Sequence, residues 1–159
     1  MASRKLSDLY PSVQNMAFQF MDICREEYGI EVLIYCTYRS KEEQAVLYAQ
    51  GRESLEEVND KRQSIGLWKL RNESENRIVT NAKAGESIHN YHFAFDAVPL
   101  EAGKPVWDKK HPAWAIMGHV AKQCGLEWAG AWKRFKEYPH FQFTGGLTLA
   151  EMKAGNMPA

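Results

Sequence analysis

Two histidines and one aspartate, well separated along the chain, place the strongest constraint on its fold. His89 and Asp96 belong to the stretch Ser-Ile-His-Asn-Tyr-His-Phe-Ala-Phe-Asp at 87–96, and His140 ends Glu-Tyr-Pro-His at 137–140. Imidazole and carboxylate suit Zn²⁺, and three protein ligands leave a fourth position for water. His89 and Asp96 cannot share a helical face as the ligands of an HExxH motif do. The pattern therefore predicts that His89 at a loop end, Asp96 on a strand and His140 on a separate strand converge.

A fourth polar residue, Glu137, precedes His140 by one short turn that Pro139 stiffens. A carboxylate at that position is placed to take a proton from water at the metal. Spacing alone thus indicates a metal-dependent hydrolase and leaves its substrate open.

Composition narrows the class of protein. The chain has 159 residues, which suits one domain, and its 20 basic and 20 acidic residues give a formal net charge of zero. This balance argues against nucleic acid or an anionic membrane as partner. No apolar run has the length of a transmembrane helix, and no apolar segment directly follows the charged N-terminus. We expect a monomer that is made in the cytoplasm without a signal peptide and is not inserted in a membrane.

The three cysteines, Cys24, Cys36 and Cys124, are widely spaced and form no CxxC pair. Neither a disulfide framework nor a cysteine zinc site is expected. All three are interpreted as small buried apolar residues.

Periodicity predicts an α+β fold, a small, mostly antiparallel sheet with flanking helices. Helices are expected at 11–28, 40–51, 111–125 and 148–153, and strands at 31–37, 78–80, 93–98, 126–128 and 140–143. Pro99 should end its strand or place it at an edge. Residues 52–77 contain a short helix at 54–63 and are interpreted either as a solvated insertion or as a flap that contacts substrate. The whole of 1–159 is expected to be one catalytic domain.

The motifs resemble a known family. Ser-x-His-x-x-x-x-Ala-x-Asp followed by Glu-x-x-His is similar to the VanX/VanY-type metallopeptidases of the LAS group (lysostaphin, D-Ala-D-Ala peptidases, hedgehog). The resemblance covers roughly residues 30 to 152. The flanking segments 37–40, 47–52, 79–83 and 126–132 are similar to the L-alanyl-D-glutamate endopeptidase branch, which contains phage endolysins and bacterial cell-wall hydrolases.

The resemblance implies roles for individual residues. It implies one catalytic Zn²⁺ on His89, Asp96 and His140, and it implies that Glu137 is the general base and then the proton donor to the leaving amine. It also implies that Arg39 polarises the scissile carbonyl and holds the oxyanion; a surface ion pair is the alternative for this residue.

Four further residues are candidates for contacting the substrate or supporting the site. Ser87 either hydrogen-bonds near the site or only forms a turn, and Gln44 and Thr80 have either a supporting or a purely structural role. Trp132, with Trp128, is a candidate for lining a substrate groove.

The chain departs from the family pattern at two positions. His92 stands where the family usually has glycine, so the local turn is expected to differ, with the imidazole near the metal, in solvent or stacked on Tyr91. Ala131 stands where an aspartate often precedes the tryptophan.

The resemblance implies a zinc-dependent peptidoglycan endopeptidase that cleaves the L-alanyl-D-glutamate bond of stem peptides. As an antimicrobial, bacteriolytic endolysin it would reach the cell wall in the periplasm once a holin-type partner had permeabilised the membrane. A D-alanyl-D-alanine carboxypeptidase or dipeptidase is the alternative enzyme. A zinc-stabilised binding module without catalysis is the alternative of another class.

Overall fold

The protein's structure, a computed structural model, describes residues 2–158. Its centre is a five-stranded sheet in which all pairings are antiparallel. The strands are β1 (Glu31–Cys36), β2 (Ala94–Glu101), β3 (Lys104–Pro105), β4 (Glu127–Trp128) and β5 (His140–Gln142). Their order is β1-β2-β5-β4, and the short β3 pairs with β2.

Five α-helices accompany the sheet, and the predicted α+β fold is confirmed. They are α1 (Pro11–Tyr28), α2 (Lys41–Ala49), α3 (Leu55–Ser64), α4 (Pro112–Gln123) and α5 (Leu149–Lys153). Single 3₁₀ turns occur at Leu6–Asp8, Glu73–Glu75, Ile88–Tyr91 and Ala129–Ala131. Within residues 2–158, none of the helices combines the length and the apolar character needed to cross a bilayer.

The helix boundaries follow from local capping chemistry. Pro11 occupies the first turn of α1, and Gly29 ends that helix with φ 65°, a left-handed conformation that glycine adopts without a Cβ penalty. Ser40 caps α2 by accepting a hydrogen bond from the backbone N–H of Glu43. These signals are local in sequence, which explains why the predicted helices are confirmed.

The core lies between the sheet and the helices α1 and α4. Phe20 of α1 is fully buried, and its ring lies 5.9 Å from that of Phe95 and 4.9 Å from that of Phe141. Phe95 and Phe141 are directly opposed on β2 and β5 and stack at 5.5 Å. Truncating such a buried phenylalanine to alanine typically costs about 3–5 kcal/mol. The core therefore fixes β2 against β5, the two strands that carry Asp96 and His140.

The opposite face of the sheet carries a row of polar residues across three strands. Asp96 on β2 is paired with Cys36 on β1 and with His140 on β5. Directly opposed residues on antiparallel strands project from the same face. Because side chains alternate along a strand, Phe95 enters the core while its neighbour Asp96 faces the other way.

The prediction of a strand at Ile78-Val79-Thr80 is wrong, because these residues are paired with no strand of the sheet. Side chains satisfy part of this segment's backbone instead. Arg52 donates to the carbonyl of Thr80 at 3.0 Å, and Gln44 donates to that of Ala82 at 2.8 Å. The segment is thus fixed against α2 rather than added to the sheet.

The expectation that Pro99 ends its strand is wrong, whereas the alternative of an edge position holds on the side where β5 has ended. β2 continues through Pro99 to Glu101 and is paired with β1 along that length. The carbonyl of Pro99 accepts a hydrogen bond from the N–H of Val106, on the side of β2 away from β1. Because the N–H and C=O of a strand residue point to the same side, the N–H that proline lacks would also have pointed away from β1. β5 has already ended there, since its pairing with β2 reaches only Asp96, and proline removes no β1–β2 hydrogen bond.

Residues 52–77 form α3 and a return segment held by side-chain hydrogen bonds. Asn59 exchanges two hydrogen bonds with the backbone of Leu70, and Asn76 accepts from the N–H of Gly51 at 2.7 Å. A Cβ on Gly51 would lie 2.3 Å from the backbone nitrogen of Ile78, so only glycine permits this approach. The contacts place the following residues, 79–82, beside the polar face of the sheet.

Candidate active site

His89 reaches the polar face from the 3₁₀ turn Ile88–Tyr91. Ser87 caps this turn, and its hydroxyl accepts a hydrogen bond from the backbone N–H of His89 at 3.3 Å. His89 Nδ1 lies 2.9 Å from the carbonyl oxygen of Thr37, which can only accept, so Nδ1 carries the proton. The lone pair of Nε2 then faces Oδ1 of Asp96 at 3.1 Å.

His140 is held in the complementary tautomer. Its Nε2 donates to Oε1 of Gln142 at 2.8 Å, and Gln142 Nε2 donates in turn to Glu127 Oε2 at 2.9 Å. The lone pair of His140 Nδ1 is therefore directed at Oδ1 of Asp96, 3.6 Å away. Hydrogen bonds of this kind orient imidazole ligands and raise their basicity.

This donor set fits a zinc ion. Ligand atoms about 2.0–2.1 Å from a tetrahedral metal lie about 3.3 Å from one another, close to the 3.1 Å and 3.6 Å that separate the imidazole nitrogens from Asp96 Oδ1. Two lone pairs directed at a partly buried carboxylate repel it unless a cation or a proton lies between them. His89, Asp96 and His140 are the residues that could hold the ion.

The pKa values reflect the same electrostatics. Burial opposes the charged form of His89, but the Asp96 carboxylate outweighs burial and raises the pKa of His89 to about 10 from 6.5. Burial would raise the pKa of Asp96, yet the two imidazoles hold it well below its usual range. Without a metal, the pair exists as imidazolium and carboxylate, so a metal ion would displace a proton.

Cys36 is a neighbour that the sequence did not place in the site. Its sulfur lies within 4.8 Å of an imidazole nitrogen of His89 and a carboxylate oxygen of Asp96. The nitrogen it approaches, at 3.7 Å, is Nδ1, which already donates to Thr37. The thiol thus lies on the Nδ1 side of the imidazole, whereas Nε2 faces Asp96.

Arg39 is positioned beside Asp96 by Gln44. Arg39 Nη1 donates to Gln44 Oε1 at 3.0 Å, and Nη2 lies 4.0 Å from Asp96 Oδ2. Gln44 is fully buried, and its amide also donates to the hydroxyl of Thr80 at 3.2 Å. The guanidinium is only 16% exposed, so the surface ion pair considered for Arg39 is not what the structure contains. Gln44 supports Arg39 and Thr80 and does not line the cleft.

Glu137 lies on the turn that enters β5. Its carboxylate is 56% exposed, with Oε2 3.8 Å from Nδ1 of His140. Trp128 holds this turn by donating from Nε1 to the carbonyl of Tyr138 at 2.7 Å. A Cβ on Gly118 or Gly130 would lie 2.2 Å or 2.1 Å from the Trp128 indole, so both glycines are needed to seat that ring.

These residues open into a cleft of about 590 Å³. Residues 79–82, Trp132 and residues 135–140 are among those that line it. Ser87, Arg39 and Thr80 line the cleft, whereas no residue of 52–77 does so. Its volume is in the range of about 300–1,000 Å³ typical of ligand pockets.

Of the two tryptophans expected to line a substrate groove, only one lines the cleft. Trp132 lines the cleft, with its ring centroid 5.9 Å from that of His140, and donates weakly to Glu127 Oε1 at 3.3 Å. Trp128 is absent from the residues that line the cleft; it lines a separate groove on the α4 side and packs against Tyr138.

Of the three places expected for the His92 imidazole, solvent is the correct one: the residue is exposed and lies neither at the metal site nor on Tyr91. Its ring stacks on Tyr38 with a centroid distance of 4.1 Å and an interplanar angle of 3°, and Nδ1 lies 2.6 Å from the carbonyl of Asp8. The backbone has φ 69°, so histidine keeps the left-handed conformation that glycine favours. The backbone at His92 is thus one that a glycine would also adopt.

Comparison with known proteins identifies the family. A family model described as D-alanyl-D-alanine carboxypeptidase matches residues 80–143. The peptidoglycan L-alanyl-D-glutamate endopeptidase CwlK of Bacillus subtilis (strain 168) is 35% identical over 144 residues, which cover 86% of this chain and 74% of that protein. The chain belongs to the VanX/VanY-type peptidase family. The resemblance read from the motifs is thus confirmed, and the protein is a peptidase.

Solved structures share the fold of this VanX/VanY-type peptidase. The vancomycin-resistance D,D-pentapeptidase VanY, solved with Zn(II), matches with a TM-score of 0.55 and 15% identity, covering 91% of this chain and 83% of that one. The L-Ala D-Glu endopeptidase ChiX of Serratia marcescens matches with a TM-score of 0.50 and 18% identity, covering 91% and 89%.

Two features of the peptidase site were not predicted from the sequence. No sequence motif marks the hydrogen-bonded pair of Gln142 and Glu127 that supports His140. The available signal was the spacing, because residues two apart on a strand, such as His140 and Gln142, project from the same face. The approach of Cys36 depends on pairing between distant strands. The expected burial of the cysteines is confirmed for Cys24 and Cys36, whereas Cys124 is half-buried; within residues 2–158 all three are free thiols.

Proposed function

We propose that this protein is a zinc-dependent peptidoglycan endopeptidase that hydrolyses the L-alanyl-D-glutamate bond of stem peptides. The observation that carries the proposal is the convergence of three suitable donors, His89 Nε2, Asp96 and His140 Nδ1, in a cleft that also contains Glu137 and Arg39. When bound, zinc supplies a Lewis acid that polarises a carbonyl oxygen and lowers the pKa of water.

The chain's own residues account for the remaining chemistry. The exposed Glu137 carboxylate accepts the proton of the attacking water and returns it to the leaving amine. Arg39, held by Gln44, donates to the oxygen of the scissile carbonyl as negative charge develops there. The permanent charge of guanidinium makes it suited to this role.

The choice of bond is supported by CwlK, whose name specifies the L-alanyl-D-glutamate bond. Two cationic side chains that line the cleft, Lys109 and Lys136, are candidate partners for such a substrate, because a γ-linked D-glutamate carries a free carboxylate next to the scissile nitrogen. Cleavage at D-alanyl-D-alanine is the second candidate. The description of the matching family model and a VanY structure in complex with D-Alanine-D-Alanine favour it.

Mass spectrometry of a defined muropeptide tests the proposal. A disaccharide tetrapeptide or pentapeptide is incubated with the zinc-loaded enzyme and with the same protein after chelation. We expect a disaccharide-L-alanine fragment and a peptide with D-glutamate at its new amino terminus, formed only with metal. Loss of the terminal D-alanine alone from the pentapeptide would instead establish the D-alanyl-D-alanine carboxypeptidase, and no cleavage with zinc bound would favour the binding module.

The proposal includes a biological role. The protein acts as a monomeric endolysin that meets the cell wall after a holin-type partner has permeabilised the membrane, as the resemblance to phage enzymes implies. Production in a bacterial host, with and without a separate permeabilising agent, tests this role. Lysis is expected only when the protein and the permeabilising agent are both present, and lysis by the protein alone would contradict the assigned route.

A further inference from the structure

Tyr35 occupies an irregularity in the sheet next to the site. Along β1 and β2, Ile34 is paired with Ala97, whereas Cys36 is paired with Asp96. Two steps along β1 thus correspond to one step along β2, which makes Tyr35 the extra residue of a β-bulge. Bulges of this kind re-aim side chains and are frequent beside active sites.

The bulge changes the face of the sheet from which Cys36 projects. In a regular strand Cys36 would point to the same side as Ile34, into the core. With the bulge, Cys36 lies opposite Asp96 on the polar face. Tyr35 lines the cleft together with Arg39 and Asp96, so two consecutive residues of β1 reach the site.

The ring of Tyr35 packs against one aromatic neighbour, and its hydroxyl has no hydrogen-bond partner among residues 2–158. The ring packs edge-on against Trp107, with centroids 5.7 Å apart and an interplanar angle of 77°. Burial and the negative charge of Asp96 raise the pKa of Tyr35, and Glu137 adds to the effect. The hydroxyl therefore keeps its proton and remains a donor at every pH at which the enzyme would work.

We infer that Tyr35 is a catalytic residue whose hydroxyl donates a hydrogen bond to the oxygen of the scissile carbonyl as it becomes an oxyanion. The inference rests on the proposed function and adds a second donor from the chain beside Arg39. A residue that lines the cleft and has an unpartnered donor can serve in this role without first breaking a hydrogen bond within the protein.

The test compares Tyr35→Phe with Tyr38→Phe. The first variant keeps the ring against Trp107 and removes only the hydroxyl. Tyr38 lies three residues away, stacks on His92 and does not line the cleft, so its variant is the matched control. We expect Tyr35→Phe to lower kcat by roughly 10²-fold, as removal of one oxyanion donor does. KM and one zinc per chain should be retained, and Tyr38→Phe should match wild type.

A binding measurement separates the developing oxyanion from the ground state. Calorimetry with a phosphinate analogue of L-alanyl-D-glutamate, which presents tetrahedral oxygens, should show weaker binding to Tyr35→Phe by a factor similar to the loss in kcat. Unchanged kcat and phosphinate binding would overturn the inference, and so would a rise in KM alone or a loss of zinc together with activity. Wild-type enzyme that leaves the L-alanyl-D-glutamate bond intact would refute the proposed function instead.

Discussion

Replacement of Gln142 by leucine should weaken zinc binding without touching a candidate ligand. Gln142 is buried, and its carbonyl accepts the Nε2–H of His140 at 2.8 Å. Leucine is close in size but cannot accept. The buried N–H would then lack a partner, which costs about 1–3 kcal/mol. The metal-free protein can avoid this cost by moving the proton to Nδ1, where it faces Asp96, but this tautomer cannot bind a metal through Nδ1.

The cost should therefore appear as a loss of metal affinity. Changes in groups that orient a ligand typically lower affinity about 10–100-fold, which corresponds to about 1.4–2.7 kcal/mol and agrees with the loss of one buried hydrogen bond. Competition with a chromophoric chelator measures the zinc affinity. Glu127→Gln is the matched control, because an amide oxygen can still accept from Gln142 and the position is exposed, so its affinity should stay within a few-fold. A wild-type zinc affinity in Gln142→Leu would refute the reasoning.

Three other outcomes follow from the structure. Glu137→Gln should bind one zinc yet lose about 10²–10⁴-fold in kcat, because it removes only the base; substantial turnover would contradict that role. In the metal-free protein, Asp96 raises the pKa of His89 from 6.5 to about 10. The ion pair of His89 and Asp96 therefore makes its full contribution to the free energy of unfolding below pH 6.5, and this contribution is lost as pH rises through about 10. Urea unfolding of chelated protein measures that free energy, and a value that does not change between these pH values would contradict the assignment. His92→Ala should destabilise the protein by about 1 kcal/mol more than His92→Gly, because only glycine adopts φ 69° freely; equal losses in denaturant would contradict this.

The elements that the sequence predicted are those with local signals. α1 has its proline start and glycine stop, α2 has its Ser40 cap, and β1 is a continuous apolar and β-branched run. The convergence expected for His89, Asp96 and His140 follows from the motif and from the alternation along β2 that separates Phe95 from Asp96.

The features that the sequence missed depend on contacts between distant segments. The stretch 78–80 has strand-like composition, but side chains of α2 and the following turn satisfy its backbone, so it never joins the sheet. The hairpin that adds β3 turns through Ala102 at φ 51° and Gly103 at φ 77°, and alanine there is not a usual turn signal. The bulge at Tyr35 and the Gln142–Glu127 pair are visible only once strand register is known.

Zinc titration of the metal-free protein tests the central claim most directly. Protein stripped by a chelator is titrated with zinc while hydrolysis of a defined muropeptide is followed, in parallel with the His140→Ala variant. We predict no hydrolysis without metal, a rise that ends at one zinc per wild-type chain, and no comparable recovery in the variant. Full hydrolysis by the stripped protein, or recovery of the His140→Ala variant at the same stoichiometry, would contradict the assignment of His89, Asp96 and His140 as the site of a single catalytic ion.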